Sequence, residues 1–128
     1  MKLLLDENLS PDFARGLKAF GYSVSHVTFE LERGADDQQI YQFCAAHAWL
    51  LLTGDWRMHR NKVQRAAMAQ AGIGVFILTG RGNIRKDELA LFLHRRMKDV
   101  ATFSKANKPP CVAGIPQKGV IKLLRGVT

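Results

Sequence analysis

Cysteine is nearly absent, with two residues in 128, and Cys44 and Cys111 are too far apart to form a paired metal-ligand spacing. This excludes a thiolate-type metal motif. A single disulfide between the two stays open, but free cysteine is most often simply buried, so Cys44 reads as a small core residue and Cys111 as a loop or strand residue. Long apolar runs are missing as well. Stretches such as Leu3-Leu4-Leu5 and Trp49-Leu50-Leu51-Leu52 fall far short of the roughly 20 residues that a membrane helix needs. The leading leucines run directly into Asp6-Glu7, leaving no room for a secretory apolar core or cleavage site. The expectation is a soluble, cytoplasmic protein without a membrane partner. No internal repeat and no low-complexity segment is present.

Acidic residues become scarce beyond residue 56. Residues 1–56 hold four Lys/Arg against eight Asp/Glu, a net of −4, whereas residues 57–128 hold the other fifteen against three, a net of +12. The overall charge of +8 is therefore strongly polarised along the chain. A basic half suits a polyanion, while the acidic half can supply carboxylate chemistry. A generally basic soluble protein, or one that binds an acidic protein partner, is the plainer alternative.

The hydrophobic content of 47% in a chain of this length fits one domain over residues 1–128. Leu3–Leu5 reads as a buried parallel strand that ends abruptly at polar residues. Ser10-Pro11 supplies a cap and a first-turn proline for a helix to about Phe20, with Phe13, Leu17 and Phe20 as its stripe and Gly21 as its stop. Tyr22–Val27 alternates as a second strand. Asp36 can cap a helix from about Asp37 to His47, whose expected buried face is Ile40, Phe43, Cys44 and His47. Trp49–Thr53 reads as a third strand, Asn61–Gln70 as a helix, Gly74–Leu78 as a fourth strand, and Lys86–Val100 as a helix buried through Leu89, Phe92, Leu93, Met97 and Val100. Beyond a polar connection over Lys105–Pro110, a basic tail adds one or two short strands, most clearly at Gly119–Leu124. Strand and helix alternate four times, so the expected fold is α/β: a three-layer α/β/α sandwich on a mostly parallel sheet with right-handed crossovers.

Open parallel sheets place their sites beyond the carboxyl ends of the strands. Asp6-Glu7 follows the first strand there, Asp55 follows the third, and Asp36-Asp37 opens a helix that can face the same edge. Gathered carboxylates repel one another unless a cation neutralises them, and an all-oxygen set suits Mg²⁺ or Mn²⁺. Singly, each acid has a duller account. Asp36 is most simply an N-cap, Asp37 a first-turn acid favoured by the helix dipole, Glu7 a solvated neighbour and Asp55 a turn initiator.

The runs Leu3-Leu4-Leu5-Asp6-Glu7-Asn8-Leu9-Ser10-Pro11, Gly34-Ala35-Asp36-Asp37-Gln38-Gln39-Ile40 and Leu51-Leu52-Thr53-Gly54-Asp55 resemble, in order and spacing, three blocks of PIN-like domains related to the VapC-type toxin ribonucleases. The resemblance spans roughly the first 80 residues. It implies a metal-dependent endoribonuclease in which Asp6, Asp37 and Asp55 are the catalytic, metal-binding set, with Asn8 or Thr53 supporting them through hydrogen bonds. It further implies Mg²⁺ or Mn²⁺ as cofactor, RNA as substrate, a cognate antitoxin protein as partner, and a homodimer. One departure stands out: where many relatives carry a further acid after Thr-x-Asp, this chain has Trp56-Arg57-Met58-His59-Arg60. Arg57, His59 and Arg60 are candidate phosphate contacts there, with a solvated basic helix start as the equal alternative. Arg81 and Arg85 flank a glycine-rich turn after the fourth strand and are the more distant candidates for RNA binding. Trp56 is either a base-stacking surface or packing. His26, His47 and His94 lack metal-like spacing, and His47 is expected to be structural.

Two other functions fit parts of the pattern. A catalytically degenerate domain of the same fold would bind RNA or protein without cutting. A phospho-aspartate receiver domain would use Asp6-Glu7, Asp55, Thr79 and Lys108, but it leaves Asp37 and the basic half without a role.

Overall fold

The computed structural model describes residues 1–79 and 86–124, with His59 and Lys86 described by backbone alone. Its elements in chain order are β1 (Leu3–Leu5), α1 (Pro11–Ala19), β2 (Val24–His26), α2 (Val27–Glu30), α3 (Asp37–His47), β3 (Leu50–Thr53), α4 (Lys62–Ala71), β4 (Gly74–Leu78), α5 (Lys86–Ala106), β5 (Cys111–Ile115) and β6 (Lys122–Leu123). A short 3₁₀ turn over Met58–Arg60 precedes α4. The strands form one sheet in the order β2-β1-β3-β4-β5-β6. All neighbours are parallel except the antiparallel β5–β6 pair.

Because side chains alternate across a strand, each strand feeds two cores. Leu3, Leu5, Leu52, Phe76, Leu78, Ala113 and Ile115 pack with α1 and α5 on one face. Leu4, Leu51, Val75, Ile77 and Val112 pack with α3 and α4 on the other. The three-layer arrangement is thus written in the two-residue period of strands that are apolar on both sides.

Several expectations shift. Strand pairing at β2 stops at His26, and the chain turns at once into the one-turn helix α2. The buried face of α3 is Ile40, Tyr41 and Cys44, whereas His47 is exposed and stacks on half-buried Phe43 at 4.1 Å between ring centroids. Helix α5 runs on past Val100 to Ala106 and takes up the first two residues of the expected polar connection. The main C-terminal strand is β5, buried throughout, with only Lys122–Leu123 of the later candidate pairing on its edge. Arg96 has a largely covered side chain that donates to the carbonyls of Pro116 and Gly119 and pins the turn after β5.

The crossovers also do not all share one hand. From β1, the chain steps outward to β2 through α1, and in the opposite direction through α3, α4 and α5. Helices α3 and α4 lie on the face opposite α1, as a common hand demands, but α5 lies on the α1 face. The β4–α5–β5 unit therefore has the opposite hand to the other three. Coverage accounts for it: α1 covers only the β1–β2 end of its face, and α5 buries Phe76, Leu78, Ala113 and Ile115.

Candidate functional site

Strand order reverses beside β1, which has β2 on one side and β3 on the other, and such a switch point is where open α/β sheets hold their sites. The register pairs Leu5 with Leu52, and the Asp6 amide extends that ladder by donating to the Leu52 carbonyl at 2.9 Å. Asp6 and Thr53 therefore stand abreast where the two strands end.

The Thr53 hydroxyl is the centre of a closed net. It donates to Asp6 Oδ2 at 3.0 Å and accepts from Asn8 Nδ2 at 2.9 Å and from the Asp55 amide at 3.1 Å. One donor and two acceptor sites are a hydroxyl's full capacity. Asn8 Oδ1 accepts from the Gly54 amide at 2.7 Å, stapling the loop after β1 to the turn after β3. Asp6 Oδ1 accepts from the Glu7 amide at 2.8 Å. Buried His26 braces the same loop from below: its Nε2 faces the Leu9 carbonyl at 2.7 Å and must donate, leaving Nδ1 to accept from the Thr28 amide at 3.1 Å.

Asp36 and Asp37 take different work. Asp36 forms a complete capping box with Gln39, accepting from the Gln39 amide at 2.8 Å while its own amide donates to Gln39 Oε1 at 2.9 Å. Asp37 is left free to face the edge, and its Oδ2 accepts from Gln64 Nε2 of α4 at 2.6 Å.

Burial is the main force on Asp6, which is 4% exposed. It raises the carboxyl above its ordinary 3.8, opposed by the Glu7 amide and the Thr53 hydroxyl and reinforced by the charges of Asp37 and Glu7. Tyr41, one helical turn beyond Asp37, is buried, and its hydroxyl has no hydrogen-bond partner among the described residues. Burial, then the charges of Asp37, Asp6 and Asp55, raise the Tyr41 phenol above its usual value. Cys44, beneath the site, is pushed up to about 12 by burial and by Asp6, which makes it a poor thiolate ligand.

The edge thus brings together Asp6, Asn8, Thr53 and Asp55 by direct bonds, with Asp37 close enough for its charge to act on Asp6. The Glu7 side chain is exposed beside them. Arg57 points back at the site: its amide donates to Asp55 Oδ1 at 3.1 Å, and its Nε lies 3.6 Å from the same oxygen. Arg60 sits over the exposed Trp56 ring at 5.0 Å. The His59 side chain and the whole of Arg81 and Arg85 lie outside the described residues. Sequence reading missed Tyr41, Gln64 and His26. A different helical face would have exposed Tyr41, but the other two act through contacts distant in the chain.

In kind, the donors suit a hard divalent ion: oxygen ligands only, crowded negative charge, and an unpartnered buried hydroxyl beside them. They are not drawn together around one point. Among the described residues, no three His, Cys, Asp or Glu side chains lie close enough to hold a metal ion. The Gln64 bond is one visible restraint, since it holds Asp37 toward α4.

A mostly parallel sheet with acidic residues following β1 and β3 defines an α/β protein with an acidic switch-point edge. The model of the PIN-like domain family matches residues 1–80, which include Asp6, Asp37 and Asp55, and the chain belongs to that family. No curated protein and no solved structure matches the chain. PIN-like domains are generally nucleases, hydrolases of nucleic acid that generally use divalent metal ions. The order β2-β1-β3-β4-β5 is shared with receiver domains, but Lys108 precedes β5 and so lies at the opposite edge from the carboxylates that a receiver lysine must meet.

Proposed function

We propose that this protein is a metal-dependent endoribonuclease, the toxin of a toxin–antitoxin pair, acting in the cytoplasm. The observation that supports the proposal is the Thr53-centred net, whose hydroxyl holds the Asp6 carboxylate and the Asp55 backbone side by side where β1 and β3 end. Asp6, Asp37 and Asp55 would hold Mg²⁺ or Mn²⁺, with Asp37 turning from Gln64 to do so. Asn8 and Thr53 position the carboxylates, and Glu7 adds charge at the rim. When bound, the ion activates a water and offsets charge on the phosphodiester. Arg57, His59, Arg60, Arg81 and Arg85 are the proposed RNA contacts. A cognate antitoxin and a second copy of the chain are the proposed protein partners.

The test is cleavage of a single-stranded RNA by purified protein in Mn²⁺. We expect cleavage to be lost in folded Asp6→Asn and Asp55→Asn proteins. That no three-ligand group is gathered among the described residues favours one second reading, a catalytically degenerate RNA- or protein-binding domain. It predicts RNA binding that never proceeds to cleavage at any Mn²⁺ concentration.

A further inference from the structure

Directly after Asp55, the chain presents an indole to solvent: Trp56 is 47% exposed. The Arg60 guanidinium lies over the ring at 5.0 Å. Residues 56–65 carry Arg57, Arg60, Lys62 and Arg65 and no acid, in contrast to the −4 half that precedes them. Exposed aromatics set among cations are how proteins bind single strands, the ring stacking a base while the cations track the phosphates. Only an unpaired base offers a free face, because bases within a duplex are already stacked on both sides.

We propose that Trp56 and Arg60 form a nucleobase-binding subsite that stacks an unpaired base next to the carboxylate edge, making the protein prefer single strands over duplex. This inference rests on the nucleic-acid reading of the carboxylate edge but not on its catalytic activity. The stack has an order: Arg60 on one face of the indole and the base on the other, with Arg57 and Lys62 available to the flanking phosphates. Acidic proteins could meet the cations but not the stacking requirement, so they are distinguished as an outcome of the test.

The chain has two tryptophans, and the other, Trp49, is half-buried and packed against Phe43. A Trp49→Phe protein therefore reports Trp56 alone. Its emission would be followed in EDTA, so that binding is read without cleavage, against a 12-nucleotide single-stranded RNA, its duplex and heparin. Expected are strong quenching by the single strand, weak quenching by the duplex, and little by heparin, a polyanion without bases. In the otherwise wild-type protein, Trp56→Ala should weaken single-strand binding roughly tenfold, the size of one base stack, with duplex binding unchanged. Trp56→Phe should restore part of the loss and thereby guards against a folding effect. Equal quenching by heparin, equal loss on single strand and duplex, or unchanged single-strand affinity in Trp56→Ala would each overturn the proposal. A protein that never cleaves RNA but passes this test retains the subsite and loses only the nuclease reading.

Discussion

At the scale of single residues, the site depends on a hydroxyl. Thr53 has three partners, so Thr53→Val, nearly identical in shape, leaves the Asp55 amide without its acceptor and leaves Asn8 Nδ2 and Asp6 Oδ2 only their longer 3.4 Å bond to each other. Each unmade buried bond costs about 1–3 kcal/mol, and we expect Thr53→Val to lose at least about 2 kcal/mol in urea unfolding. A loss no larger than that of an exposed substitution would contradict the net. Asp6 gives a second handle. Its folded pKa lies above the ordinary 3.8, so the fold binds that proton more tightly than the unfolded chain does. Ionisation therefore weakens the fold, and the contribution present at low pH is lost as pH rises from about 3.8 through the folded value. Measured in EDTA, the stability of wild type relative to Asp6→Asn should fall from pH 4 to pH 7. A difference flat with pH would contradict a strained Asp6.

At the scale of elements, α3 and α4 together set where Asp37 sits. The Asp36–Gln39 capping box fixes the start of α3, and Gln64 on α4 holds Asp37 at 2.6 Å. Gln64→Ala should release Asp37 toward the edge and raise Mn²⁺ affinity several-fold in calorimetric titration, whereas weaker binding would make Gln64 a support rather than a restraint. The elements also show what was legible beforehand. Strands β1, β3 and β4 and the start of α3 follow from apolar runs that end at polar residues and from a capping signature, and these carry the three acids. Strand β5 was harder to read because Cys111-Val112-Ala113-Gly114-Ile115 is rich in small residues, and its side chains are buried by the two helical layers rather than by a strong apolar run. The face of α3 was right at Ile40 and Cys44 but misread at Phe43 and His47, with Tyr41 missed, because Tyr41 and Phe43 are both aromatic and only the sheet below decides between them. Gln64 was unreadable, since its partner is 27 residues away.

Across the whole molecule, charge and fold divide the labour. The acidic half places its carboxylates at the switch point, and the basic half begins at Arg57, immediately beside them. Binding of RNA should then be strongly electrostatic. If Arg57, Arg60 and two further cations each neutralise a phosphate, a single strand should give a slope near −3 in log affinity against log salt, at about 0.7 per contact. Affinity unchanged between 50 and 200 mM salt would remove the phosphate contacts from the account. The central claim is that Asp6 and Asp55 serve a metal-dependent cleavage. The most direct measurement is the cleavage rate of an end-labelled single-stranded RNA across a Mn²⁺ titration. The account predicts a saturable Mn²⁺ dependence, with the rate reduced at least about 100-fold, or ~2.7 kcal/mol, in Asp6→Asn and Asp55→Asn proteins that keep the wild-type unfolding transition. No cleavage by the wild type at millimolar Mn²⁺, or wild-type rates in the two variants, would contradict it.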